Sequence, residues 1–164
     1  MTGIIAACLY SIGQESWTYL ASAVLAVSIL LDRADGVFAR LSGKISSWGH
    51  KYDLFADTIC NSLAFAGIGI GLRDSELGLW SVFLGIIAGL SISTVLYAVT
   101  LIEKKKGRRA AELGDFLGFD VDDAMFCVPL ATALGWEYHL IVAAAVGATL
   151  FAIFFCWKFL FNSD

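Results

Sequence analysis

The chain has 164 residues, of which 59% are hydrophobic and only 16% are charged, and its mean hydropathy is +0.77. Soluble domains average about a quarter charged residues, and a chain of this length cannot bury so much apolar surface in one water-soluble core. The composition therefore predicts a membrane protein, and the formal net charge of −4 gives no sign of a surface for nucleic acid.

Six apolar segments follow one another along the chain. A membrane-spanning helix needs about 20 mostly apolar residues; the first segment is only half a span, and the fifth is short and contains Pro129. Short polar joints separate the segments, except for one long joint over 103–123. In chain order the segments cover residues 2–12, 16–31 with an unbroken continuation to 40, 48–72, 79–102, 124–136 and 138–157. The sequence therefore predicts an all-α fold, a polytopic membrane protein whose single domain, residues 1–164, is a bundle of about six transmembrane helices.

The basic residues predict the orientation of this bundle. With the N-terminus placed in the cytoplasm, ten of the eleven lysines and arginines fall on the cytoplasmic side, and only Arg73 falls outside. The five tryptophans all lie at predicted helix ends, where their amphipathic rings favour the membrane interface. Small residues spaced as Gly67-xxx-Gly71 and Gly85-xxx-Gly89 predict close helix packing. The four cysteines lie singly in apolar stretches without metal-ligand spacing, so we expect packing roles for them.

Four aspartates are grouped at the predicted cytoplasmic ends of the second and third helices. Asp32 and Asp35 are three residues apart and share one helix face, and Asp53 and Asp57 are four apart and share a face of the next helix. The short joint between these helices makes them antiparallel neighbours. We therefore expect the four carboxylates to converge at one depth.

Carboxylates in this position are costly unless something compensates their charge. A charged side chain at the bilayer centre costs about 2.5–3.5 kcal/mol on insertion scales, and less near the interface. Hard divalent cations prefer oxygen ligands, and two such ions can clamp a diphosphate during an in-line phosphoryl displacement. The alternative is a buried ion network, in which Arg33 and Arg40 pair with the aspartates.

The residues around the aspartates complete a long pattern. It has the form D-x-x-D-G-x-x-A-R, eight further residues, and then G-x-x-x-D-x-x-x-D. In this chain its fixed positions are Asp32, Asp35, Gly36, Ala39, Arg40, Gly49, Asp53 and Asp57. The sequence thereby resembles the CDP-alcohol phosphotransferase family at every fixed position of the signature, and its hydropathy resembles the six-helix membrane domain of that family. Such proteins usually have a complete first helix, so the short first segment suggests a late start or a lost part of this element.

The resemblance implies a role for each of these positions. Asp32, Asp35 and Asp53 would ligate two Mg²⁺ or Mn²⁺ ions, and Asp57 would be both a ligand and the general base. The residues bordering the cytidine diphosphate part of the donor would be Asp35, Gly36, Ala39, Arg40 and Gly49. An acceptor hydroxyl would attack the β-phosphorus of a CDP-linked lipid donor, such as CDP-diacylglycerol, and release CMP. The resemblance further implies a homodimer acting in phospholipid biosynthesis at the cytoplasmic face of the inner membrane.

The acceptor alcohol and two other functions stay open. Leu54 after Asp53 and Thr58 after Asp57 match neither the D-P-x-A-D-K of glycerol-phosphate-using relatives nor the L-D-S-x-A-D of serine-using ones. The basic cluster over 104–109 fits a phosphorylated acceptor or lipid headgroups, but also a simple positive-inside anchor. A membrane prenyltransferase would also use aspartate-rich motifs with Mg²⁺, and a divalent-cation transporter would line its path with carboxylates. The glycine and arginine pattern disfavours the first, and the lack of inverted repeats disfavours the second.

Overall fold

The computed structural model describes residues 2–41, 47–106 and 125–157, with the side chains at 36, 39, 40, 47–54, 96, 98–106, 155 and 156 left aside. Nearly all of this part of the chain is helical, and it contains no strand. The helices are α1 (Thr2–Ser11), α2 (Glu15–Leu41), α3 (Ser47–Gly71), α4 (Trp80–Lys106), α5 (Cys127–Ala133) and α6 (Glu137–Cys156), with a short 3-10 turn at Leu72–Asp74. The predicted all-α architecture is confirmed, and each of the six predicted segments contains one helix.

Three of the described helices are long and apolar enough to cross a membrane by length and composition. They are Glu15–Asp35, Phe55–Asp74 and Glu137–Phe154, and the described parts of α1 and of α4 (Trp80–Val95) form shorter apolar helices. The fifth segment gives only a seven-residue helix in the described region. It ends before Gly135, whose φ of +73° turns the chain into α6 and is readily adopted only by glycine.

Large side chains face outward and small ones face inward in this bundle. Leu30, Phe83 and Leu150 are each more than half exposed, which suits lipid contact because such patches are rare on soluble monomers. The buried centre instead contains many small residues: Ala6, Ala21, Ala64, Ala88 and Ala145. Without a hydrophobic driving force between helices in lipid, close backbone packing is what holds them together. The tryptophans with described side chains are exposed at helix ends, as predicted: Trp17, Trp80, Trp136 and Trp157.

Helix α1 packs antiparallel to α2, and side-chain hydroxyls join the two. The Thr2 hydroxyl donates to Ser28 Oγ at 2.7 Å, and the Tyr10 hydroxyl donates to Ser22 Oγ at 3.2 Å. Thr132 of α5 closes a buried triad, because its Oγ1 lies 2.8 Å from both the Tyr10 hydroxyl and Ser22 Oγ. Three elements are thus linked by one buried hydroxyl cluster, and Ser22 and Thr132 supply the polar partners that the Tyr10 hydroxyl needs in an apolar interior.

Helix α1 packs parallel to α3 through glycines. Gly67 and Gly71 face the backbone carbonyls of Ala7 and Tyr10, and at neither glycine is there room for a Cβ atom. Near the start of α1, Gly3 lies against Cys60 in the same way. Since α2 is antiparallel to α1 and α3 is parallel to it, α2 and α3 run antiparallel, as predicted. The prediction that they are direct neighbours needs modification, because α1 lies between them along part of their length.

Glycines and hydroxyls also join α3 to α4 and α4 to α6. Gly85 packs against Gly69, where a Cβ would lie 3.1 Å from the Gly69 Cα, and Gly89 packs against the backbone of Ser62. Ser91 and Thr149 join α4 to α6 through hydroxyls 2.9 Å apart. The predicted packing roles of both glycine pairs are therefore confirmed.

Arg73 joins the C-terminal ends of α1 and α3. Its Nη1 donates to the carbonyl oxygens of Ser11 at 3.0 Å and of Ile70 at 3.2 Å. Both helices end here with unpaired carbonyls and the negative end of the helix dipole. The contact with Asp74, 3.7 Å from Nε, involves a largely exposed carboxylate and contributes little by comparison. A structural role thus accounts for the single basic residue that the charge pattern places outside.

Replacing Arg73 by leucine should lower the free energy of unfolding by about 1 kcal/mol, because two helix ends lose a charged donor. Arg73→Lys should recover part of this loss, since it keeps the charge but not the planar fork. Unfolding in mixed micelles with increasing SDS, followed by circular dichroism, measures the difference. Identical midpoints for the leucine variant and the wild type would show that the two hydrogen bonds contribute nothing to stability.

Candidate functional site

The first two aspartates of the signature lie on one continuous helix. Helix α2 extends without a break through Asp32 and Asp35 to Leu41, as predicted from the absence of a helix breaker. The two carboxylates are exposed and, being three residues apart, share one face. Gly36, Ala39 and Arg40 occupy the last turns of the same helix; the environment of their side chains lies outside the described region.

The third helix presents Asp57 near the same end of the bundle. Asp57 is partly buried, in contrast to the exposed Asp32 and Asp35. Cys60 follows Asp57 by one turn of α3 and packs against Gly3 of α1. Because α2 and α3 run antiparallel, the described carboxylates of both helices lie toward the same end of the bundle. Gly49 and Asp53 belong to the first turns of α3, and their side-chain positions lie outside the described region.

The carboxylate side chains at this end of the bundle fit a hard divalent cation. Carboxylate oxygens are the ligands that Mg²⁺ and Mn²⁺ prefer, and the described carboxylates come from two antiparallel helices. Within the described residues there is no group of three or more side chains able to hold a metal ion. The four-aspartate set, which includes Asp53, therefore stays a prediction.

Sequence reasoning did not anticipate a contact between α2 and the start of α5. The guanidinium carbon of Arg33 lies 4.7 Å from the centre of the Phe126 ring, within the range of a cation–π interaction. Phe126 directly precedes α5 and is partly buried. The contact packs the guanidinium of Arg33, the residue that follows Asp32 in the chain, against the start of α5. A single aromatic residue in an apolar segment gives no sequence signal for such a role.

Removing the ring of Phe126 should lower kcat/KM for the phosphotransfer that the signature predicts by about fivefold, because a cation–π contact contributes about 1 kcal/mol. Phe126→Leu tests this, and Phe126→Trp is the matched variant that keeps an aromatic face under Arg33. Initial rates of product release at several donor concentrations measure the effect. Equal losses in the two variants would assign the effect to packing and not to the stacked guanidinium.

The first turn of α1 also lies close to the aspartates, which the sequence did not indicate. Thr2 bonds to Ser28, one turn before Asp32 on α2. Gly3 is buried, and a Cβ placed on it would lie 2.8 Å from Cys60 Cβ and 3.7 Å from Ser28 Oγ. The expected packing role of Cys60 is thus specific, because Cys60 is the point where α3 meets the first turn of α1.

The fold and the site together define an all-α membrane protein with carboxylates from two antiparallel helices at one end of its bundle. The family model described as CDP-alcohol phosphatidyltransferase matches residues 1–158. The chain belongs to the CDP-alcohol phosphatidyltransferase family. Neither the curated proteins nor the solved structures include a significant match to the chain.

Family membership fixes the class of activity. The family consists of transferases that move a phosphatidyl group from a CDP-alcohol, and its members generally use divalent metal ions. It therefore favours a transferase over the prenyltransferase and the cation transporter left open by the sequence.

Proposed function

We propose that this protein transfers the phosphatidyl group of a CDP-linked lipid, such as CDP-diacylglycerol, to the hydroxyl of a small alcohol and releases CMP. The observation that carries the proposal is the complete signature, whose two halves lie on the antiparallel helices α2 and α3. Membership of the transferase family supports it. The product would enter phospholipid biosynthesis.

The donor and the metal ions would occupy the acidic end of the bundle. Asp32, Asp35, Asp53 and Asp57 would hold two Mg²⁺ or Mn²⁺ ions. When bound, these ions would draw negative charge from the diphosphate and keep it in line for displacement. Arg40 would contact a phosphate through its planar fork. Gly36, Ala39 and Gly49 would leave room for the cytidine diphosphate next to the backbone.

Asp57 would act on the acceptor. As the acceptor hydroxyl oxygen forms its bond to the β-phosphorus of the donor, the hydroxyl proton would pass to a carboxylate oxygen of Asp57. The bond from the β-phosphorus to the bridging oxygen would break, and its electron pair would leave with CMP. The partial burial of Asp57 supports this assignment, because Asp32 and Asp35 are more open to water. A base shielded from bulk water is less exposed to competing proton exchange.

Orientation and assembly complete the proposal. The excess of lysine and arginine near one set of helix ends supports a site that faces the cytoplasm from the inner membrane. The family resemblance supports a homodimer.

The experiment is a measurement of CMP release by the purified protein, with CDP-diacylglycerol, Mg²⁺ or Mn²⁺, and pooled candidate alcohols. CMP that appears only with metal and with one pool supports the reaction and narrows the acceptor. Release of free diphosphate when a prenyl diphosphate replaces CDP-diacylglycerol as the donor would instead indicate a prenyltransferase. Metal uptake into liposomes without any nucleotide would indicate a transporter.

A further inference from the structure

The start of α1 occupies the gap between the two helices that carry the aspartates. Gly3 is buried there, with Cys60 of α3 and Ser28 of α2 among its nearest neighbours. On the α2 side, the Thr2 hydroxyl donates to Ser28 Oγ at 2.7 Å. The first turn of α1 therefore contacts both helices at one depth.

This depth is one helical turn from the acidic residues on either side. Asp32 follows Ser28 by four residues, and Asp57 precedes Cys60 by three. Each carboxylate is thus about 5 Å along its helix from the contact with α1. A change in the separation of α2 and α3 at this contact passes to the carboxylates almost undiminished, because one turn of a packed helix is stiff.

Gly3 has the residue type that this separation requires. A Cβ atom at this position would lie 2.8 Å from Cys60 Cβ and 2.9 Å from Cys60 Sγ, closer than packed atoms tolerate. Alanine could fit only if α3 moved away from α1. Metal ligands must be held within about 0.5 Å of their working geometry, so even a small displacement should reach the metal site.

We infer that Gly3 is a positioning residue, which sets the spacing of Asp32 and Asp57 and thereby the affinity of the site for divalent cations. The inference rests on the proposed function, because it assigns metal ions to these carboxylates. The bond from Thr2 to Ser28 fixes the other side of the same spacing. Thr2, Gly3 and Ser28 do not belong to the signature.

The test uses Gly3→Ala in the purified protein and follows Mn²⁺ binding by electron paramagnetic resonance, independently of turnover. We expect the dissociation constant for Mn²⁺ to rise by about tenfold, the usual result of disturbing the supports of a metal site. The Mn²⁺ concentration for half-maximal CMP release should rise in parallel. Adding Cys60→Gly removes the atoms that the new Cβ would meet, so the double variant should regain most of the affinity.

Gly71→Ala is the matched control. It places a Cβ against the Tyr10 carbonyl in the same interface between α1 and α3, but at the end away from the aspartates. It should lower stability and leave Mn²⁺ affinity unchanged. An equal loss of affinity in Gly71→Ala, or unchanged affinity in Gly3→Ala, would overturn the inference.

A second variant keeps the test decisive if Gly3→Ala does not fold. Thr2→Val keeps the shape of the side chain and removes only the hydrogen bond to Ser28, so Mn²⁺ affinity should fall by about threefold. Unchanged affinity in that case would overturn the inference. Wild-type protein that binds no Mn²⁺ and releases no CMP would instead remove the proposed function itself.

Discussion

Replacing Asp57 by asparagine is expected to reduce CMP release by about 10³-fold, the contribution typical of a general base. Asparagine matches the size of aspartate but cannot take the proton of the acceptor hydroxyl, and its neutral amide is a weaker ligand for a hard cation. The loss should appear in kcat at saturating donor and metal. Rates of CMP release by the purified variant, with its helical content checked by circular dichroism, measure it.

The matched control for this substitution is Glu76→Gln. Glu76 is an exposed carboxylate in the joint between α3 and α4, at the end of the bundle away from Asp57. Its neutralisation should leave turnover within twofold of the wild type, since it touches no part of the proposed site. Turnover near the wild-type rate in Asp57→Asn would remove Asp57 as the base.

Replacing Asp32 by asparagine is expected to weaken Mn²⁺ binding by about 100-fold or more. Losing even an outer-shell partner of a metal costs about 10–100-fold in affinity, and Asp32 is proposed as a direct ligand. Because asparagine preserves the shape of the side chain, helix α2 should keep its position. The Mn²⁺ titration of CMP release should therefore shift to higher concentrations, and a direct binding titration should shift with it.

Glu15→Gln provides a control on the same helix. Glu15 begins α2 at the opposite end and accepts a hydrogen bond from the Tyr19 hydroxyl at 3.0 Å, which the glutamine carbonyl can also accept. The Mn²⁺ dependence of CMP release by Glu15→Gln should match that of the wild type. If Asp32→Asn shows the same Mn²⁺ dependence as Glu15→Gln, Asp32 is not a ligand.

The helices were predictable from the sequence because membrane segments must be continuous and apolar. Apolar runs and short polar joints located all six, and α2 continues through Asp32 because nothing there breaks a helix. The length of α5 was harder to predict from the sequence. Its described part ends at Ala133, just before a turn at Gly135 that the apolar run conceals.

The candidate site was predictable only where a spacing rule applied. Spacings of three and four residues predict pairs of aspartates on helix faces. The structure describes the side chains of Asp32, Asp35 and Asp57, and the convergence of all four aspartates stays a prediction. The roles of Gly3 and Phe126 depend on how helices distant in sequence meet. Gly3 stands in an apolar run like any other small residue, and its contact with Cys60 spans 57 positions of the chain. No local pattern encodes such a contact.

The hydrogen bonds that Arg73 makes to the ends of α1 and α3 have a consequence for the biosynthesis of the protein. During membrane insertion, a basic residue on the translocated side opposes the proposed orientation. Its bonds to the carbonyls of Ser11 and Ile70 require that α1 and α3 have already come together. Arg73 would thus hinder insertion at first and stabilise the bundle only afterwards. The large excess of lysine and arginine at the opposite helix ends would then outweigh Arg73 in setting the orientation, so that the chain can keep this arginine.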